Sequence, residues 1–123
     1  MSVIRSYREL DVWKKSIDWV ERIYLNSRAF PADERFGLTS QLRRAAVSVP
    51  SNIAEGAART GAGEFLHSLS IASGSLAEAE TQIVVASRLK YLSSADAESI
   101  LTQTEEIGKM LGGLKRSLQS RRK

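Results

Sequence analysis

Cysteine is absent from the 123 residues. That removes disulfides, thiolate metal sites and cysteine nucleophiles together, and fits a reducing cytosol. There are only two prolines and no alternating strand pattern, so helix is the expected state of most of the chain. Histidine occurs once, at His67. A Ser-His triad would have to take its base from that residue, and no Gly-x-Ser-x-Gly elbow accompanies the many serines. Glu64-Phe65-Leu66-His67 is a Glu-x-x-His, but a di-iron bundle needs two such motifs on different helices plus two more glutamates, so His67 reads as a surface or interface residue. Gly61-Ala62-Gly63 is too short for a dinucleotide fingerprint, and no Gly-Lys-Ser/Thr occurs. No apolar run approaches the ~20 residues that span a bilayer. Met1-Ser2-Val3-Ile4-Arg5 lacks the apolar core of a signal peptide. The expectation is one soluble, cytoplasmic, non-enzymatic domain without metal or cofactor.

Charge is present but unevenly placed. Residues 1–108 carry twelve Lys/Arg against fourteen Asp/Glu, a sum of −2, whereas residues 109–123 carry six Lys/Arg and no acid, +6. A near-neutral body with a basic end suggests a negatively charged partner, nucleic acid above all. The competing reading is a solvated helix end, because cations favour a helix C-terminus.

Apolar spacing divides the chain into four helical segments. Ser6-Tyr7-Arg8-Glu9 is a capping box, after which Leu10, Trp13, Ile17, Val20 and Tyr24 form a heptad seam. The segment stops before Phe30-Pro31, because the residue before proline avoids helical angles. The second runs from about residue 33 to 57 with Leu38, Leu42, Ala45 and Val49 as its seam. Thr60 is offered as the cap of the third, whose seam is Phe65, Leu69, Ala72, Leu76, Ala79, Ile83 and Ala86. Ser93 or Ser94 caps the fourth, with Ile100, Thr104, Ile107, Leu111, Leu114 and Leu118, before it frays into a basic tail over about 117–123. Short links between four long amphipathic helices predict an all-α, antiparallel, up-down-up-down four-helix bundle.

Helix one has more apolar surface than one seam. At ~100° per residue, Val12, Trp19 and Ile23 form a second stripe roughly 110° around from the first. Either the bundle is splayed and this helix packs deep, or the stripe meets a neighbouring subunit. Homo-oligomerisation is the favoured reading.

The run Ser48-Val49-Pro50-Ser51-Asn52-Ile53-Ala54-Glu55-Gly56 is unusual within a helical pattern. Pro50 withholds a donor from the carbonyl of Ala46, which predicts a kink in helix two near that residue. Ser48, Asn52 and Glu55 share neighbouring turns. Their expected recipient is Ala72-Ser73-Gly74-Ser75, with Glu78 one turn on. A network through Asn52, Glu55, Ser75 and Glu78 would set register between the two helices. The alternative is a carboxylate site from Glu55, Glu78 and Glu80.

The remaining functional lead is basic. Arg43 and Arg44 are adjacent on helix two, so at least one faces outward. Arg59 follows Gly56, and Lys115, Arg116, Arg121, Arg122 and Lys123 form the tail. Arginine suits phosphate through its planar fork, and without an aromatic strand pattern any binding should be backbone-led and salt-sensitive. The other reading pairs Arg43 and Arg44 with Glu34, Glu55 or a neighbouring subunit.

Five segments together carry a resemblance. They are Tyr7-Arg8-Glu9-Leu10-Asp11-Val12-Trp13, Phe30-Pro31 with Glu34, Gly37-Leu38-Thr39-Ser40-Gln41-Leu42-Arg43-Arg44-Ala45-Ala46, the Ser48–Gly56 run, and Ile71-Ala72-Ser73-Gly74-Ser75-Leu76-Ala77-Glu78. From about Tyr7 to Leu118 the chain resembles the bacterial four-helix-bundle proteins encoded in intervening sequences of 23S ribosomal RNA genes, the S23 ribosomal protein-like family. That family is similar to the accessory variability protein of diversity-generating retroelements, a basic pentameric bundle that binds a reverse transcriptase and nucleic acid. The resemblance implies a ring, with a pentamer as its model, and an RNA-linked or scaffold role with an RNA or protein partner. It supplies no catalytic residues. Gly61 and Gly63 loosen the start of helix three here, and Gly112-Gly113 weakens helix four.

Overall fold

The computed structural model describes residues 6–122. Helices α1 (Asp11–Ser27), α2 (Leu38–Ala58), α3 (Ala62–Arg88) and α4 (Ser94–Arg122) dominate it, with short 3-10 turns at Tyr7–Glu9 and Ala32–Glu34. No strand occurs among the described residues. Each helix packs on two others, α1 on α2 and α4, and α3 on α2 and α4, which closes a ring of four.

Side-chain pairs give the helix directions. Rising through Lys15, Trp19 and Arg22, α1 meets α4 at Glu106, Thr104 and Gln103 in falling order. Ser48 meets Ser75 while Gly56 lies against Ser68 and Phe65, so α2 and α3 also run oppositely. Lys115 reaches Ser73 and Gly108 lies against Leu76, so the same holds for α3 and α4.

All seven seam positions expected on α3 are buried, and so are Leu42, Ala45 and Val49 on α2 and Ile100, Thr104, Ile107, Leu111 and Leu118 on α4. Helix α1 is different. Its core face is Val12, Ser16, Trp19, Ile23 and Ser27. The heptad seam is the outward one, with Ile17 40% and Tyr24 37% exposed. Val12, Trp19 and Ile23 are therefore not a stripe turned to a neighbouring subunit; they are the part of α1 that enters this chain's own core. Counting only large apolar residues hides this, because two serines complete the face. The Ser16 hydroxyl donates to the carbonyl of Trp13 at 2.7 Å, and that of Ser27 to Tyr24 at 3.3 Å. A serine satisfied by its own helix behaves as a small buried residue. Trp19 brings a polar N–H, and Thr104 Oγ1 on α4 accepts it at 2.9 Å while donating to the carbonyl of Ile100 at 2.8 Å.

Three helix boundaries differ from expectation. Helix α2 begins at Leu38, not near residue 33, because a 3-10 turn follows Pro31 and Glu34 Oε1 then accepts from the N–H of Leu38 at 3.1 Å. This satisfies one of the donors a helix start leaves over. Gly61, not Thr60, precedes α3, with no side-chain cap. Helix α4 does not fray at residue 117; it continues through Gly112 and Gly113 to Arg122. At its start Ser93 Oγ accepts from the N–H of Asp96 at 3.1 Å, as its capping role requires. Pro50 is buried inside α2, which runs on without a break.

Close approach explains Gly56. A Cβ there would lie 2.7 Å from Ser68 Cβ and 2.9 Å from Phe65 Cδ1. Only glycine lets α2 and α3 meet at this depth.

Candidate functional site

The polar run on α2 makes part of the expected network. Ser48 and Ser75 share a hydroxyl hydrogen bond at 2.8 Å, and Asn52 Nδ2 donates to the Ser48 carbonyl at 2.8 Å and its hydroxyl at 3.0 Å. Glu55 does not join it. Its exposed carboxylate lies 3.7 Å from Arg59, one turn on. Glu78 borders a notch between α2 and α3 with Gln41, Arg44, Ser48 and Ser75, but no nitrogen of Arg44 is within 4 Å of it.

The basic residues do not form one patch. Arg43 is a brace within the fold: Nε donates to Ser27 Oγ at 2.9 Å, Nη2 to the Tyr24 carbonyl at 3.3 Å, and the guanidinium sits 4.7 Å from the Tyr24 ring centroid. This ties α2 to the last turn of α1, where orphan carbonyls attract a cation. Arg44 is exposed and unpaired. Arg59 lies between Glu55 and Glu64, at 3.7 and 3.5 Å, so its charge is matched twice. Residues 44 and 59 are about 22 Å apart along α2.

On α4, Lys115 Nζ donates to Ser73 Oγ at 2.9 Å. Arg116 folds back toward Gly112 and Gly113, and Arg121 is exposed. Lys123 and the side chain of Arg122 lie outside the described residues. Among described cations, Lys109 is paired with Glu105 at 3.7 Å and Lys15 with Glu106 at 3.1 Å. These pairs are exposed and contribute little to stability.

His67 is exposed beside Glu55, Arg59 and Glu64 in a shallow bowl with Ile71. No group of three or more His, Cys, Asp or Glu is placed to hold a metal among the described residues. No described helix is long and apolar enough to cross a membrane.

Two surface features stand apart from the core. Tyr7, Trp13, Ile17, Val20, Val47 and Pro50 line a groove of about 370 Å³ between α1 and α2. It is the outward face left when Trp19 turned inward. The second is Phe36, 87% exposed between α1 and α2. Its signal in the sequence is an aromatic just before Gly37, two residues ahead of the helix, which a start near residue 33 conceals. On the same connection Glu34 Oε2 accepts from the Tyr91 hydroxyl at 3.0 Å. That hydrogen bond, then desolvation and the negative charge of Glu34 and Asp33, raises the Tyr91 phenol above its ordinary value of 10.0.

The model of the 23S rRNA-intervening sequence protein family matches residues 8–113. The chain belongs to this family. The match spans all of α1 to α3 and most of α4, including the Ser48–Ser75 contact and Phe36. A solved structure described as a protein of unknown function from the S23 ribosomal protein family of Bacteroides thetaiotaomicron VPI-5482 is similar at 27% identity. It covers 85% of this chain and 97% of its own length, with a TM-score of 0.78. No curated protein matches the chain.

Proposed function

We propose that this member of the 23S rRNA-intervening sequence protein family is a non-enzymatic, cytoplasmic bundle that associates with RNA or a ribonucleoprotein. The observation that carries the reading is the acid-free end of α4. Residues 109–122 hold Lys109, Lys115, Arg116, Arg121 and Arg122 with no Asp or Glu. Arg116 and Arg121 have no carboxylate of the described residues within ion-pair range. The family's name, with its reference to ribosomal RNA, agrees with that chemistry. Arg44 is the outlying contact on the body, while Arg43 and Arg59, engaged within the fold, contribute less. Binding of this kind releases counterions and weakens steeply with salt.

A mobility-shift titration with ribosomal RNA fragments tests it. Binding at 50 mM salt should fall as salt rises, and R116E/R121E should weaken it and flatten the salt slope. No affinity even at low salt refutes the reading.

The chain also acts as a homo-oligomer in this proposal, a pentamer being the size its resemblance implies. The α1–α2 groove is its contact face, with Ile17 40% and Val47 38% exposed. Sedimentation showing a monomer at micromolar concentration removes that part. The same groove favours a second reading, a protein scaffold without direct RNA contact, which predicts a partner retained after nuclease treatment.

A further inference from the structure

Phe36 sits on a connection that is held in place. Glu34 Oε1 accepts from the Leu38 N–H at 3.1 Å and its Oε2 from the Tyr91 hydroxyl at 3.0 Å. The Gly37 N–H donates to the Glu34 carbonyl at 3.0 Å, and that of Arg35 to Ala32 at 3.1 Å. A Cβ at Gly37 would stand 2.8 Å from Glu34 Oε1, so glycine keeps the carboxylate in position. Phe30, on the same connection, is tucked against Tyr91 with ring centroids 5.6 Å apart and is only 7% exposed. Phe36 is 87% exposed, well above the 52% of Leu25, the next large apolar residue among those described. One short connection thus buries one phenylalanine and presents another to solvent. An isolated exposed apolar residue is ordinary; a fully presented ring on a pinned turn, with an arginine on it, is a ready contact. The Arg35 guanidinium lies 5.2 Å from the Phe36 ring centroid.

We propose that Phe36, with Arg35 beside it, is a stacking platform for an unpaired base of single-stranded RNA. This rests on the RNA reading above and adds a contact far from the end of α4. An aromatic ring accepts the face of any base, and the Arg35 guanidinium over the Phe36 ring brings a cation to the same spot. The Tyr91–Glu34 and Phe30–Tyr91 contacts bring the α3–α4 connection to the same end. That end also carries Arg28, Arg88 and Lys90, exposed and without a carboxylate of the described residues in ion-pair range. Asp33, Asp96 and Glu98 are exposed there too, and Glu34 is turned to Leu38 and Tyr91. Positive and negative charge therefore nearly balance at this end. Stacking leads here, with the cations serving as local phosphate contacts, so the platform favours a splayed single strand over a duplex whose bases are closed in the stack.

The experiment compares the full chain with F36A and F36W. Each is titrated against a labelled ten-nucleotide single-stranded RNA and a blunt RNA duplex, at two salt concentrations, with thermal melts alongside. F36A should lose roughly 5- to 140-fold in single-strand affinity by the worth of one stacked base. The ratio should be the same at both salts, duplex binding and melting temperature should be unchanged, and F36W should restore affinity. If F36A binds the single strand like the parent while R116E/R121E weakens it, the platform is overturned and the RNA reading stands. Equal losses for single strand and duplex, or a lowered melting temperature, also overturn it. Absence of RNA binding by the parent chain removes both proposals.

Discussion

The Trp19–Thr104 hydrogen bond offers the sharpest test of how α1 is oriented. Trp19 is 0% and Thr104 2% exposed, and they meet at 2.9 Å. Thr104→Val keeps the shape of the side chain and its helix propensity is similar, but it removes the acceptor and leaves the indole N–H in a dry site. An unsatisfied buried donor costs about 1–3 kcal/mol. The Ile100 carbonyl loses a second donor but keeps its place in the helix, so its share is small. At about 4 °C per kcal/mol for a domain of this size, melting should fall by about 4–12 °C. Trp19→Phe alone should cost more, since it also opens space in a packed core. The double variant should cost at least ~1 kcal/mol less than the sum of the two single changes, because each removes the same bond. Thermal or urea unfolding followed by circular dichroism measures all three. A loss below ~0.5 kcal/mol for Thr104→Val defeats the reasoning. So does a loss that changes with protein concentration, as a subunit boundary would give and an internal contact would not.

Two further substitutions probe the α2–α3 contact and the α3 end. Gly56→Ala gains ~1 kcal/mol of helix propensity, but its methyl would be 2.7 Å from Ser68 Cβ, an atom fixed to the α3 backbone. Overpacking of this kind costs about 1–3 kcal/mol, so a net loss should appear in urea unfolding, and Ser68→Gly should recover part of it. A stabilised Gly56→Ala contradicts the close approach. Lys90 has φ 67°, with the N–H of Tyr91 donating to Ala86 and that of Lys90 to Ser87. This is a left-handed helix end that glycine adopts without the ~1 kcal/mol penalty of a side chain. Lys90→Gly should raise the urea midpoint at an unchanged slope; a lowered midpoint refutes it.

Much of the bundle was legible because periodicity states which residues can share a face. The seam of α3 reads without a slip, since its seven positions are all apolar and all buried; Gln82, buried beside Ile83, is the large polar residue that spacing does not anticipate. The Ser48–Ser75 contact was also within reach, because small polar residues at matching places on two helices have few other uses. On α1 two stripes compete, and spacing alone does not choose. The choice depends on Thr104 standing opposite an indole N–H, a partner 85 positions away in the chain. The basic residues divide similarly. Arg43 and Arg44 are neighbours in sequence, but one is locked onto Tyr24 and Ser27 and the other faces water.

The order of residues by itself determined four helices, their approximate lengths, the family and the acid-free end of α4, because these follow from local spacing, local charge and motif. Tertiary structure decided which face of α1 is core, where α2 starts, and that Phe36 stands in solvent while Phe30 does not. Those outcomes turn on pairs distant in the chain, Trp19 with Thr104 and Glu34 with Tyr91. A buried polar group must find its partner, and only the folded chain supplies one.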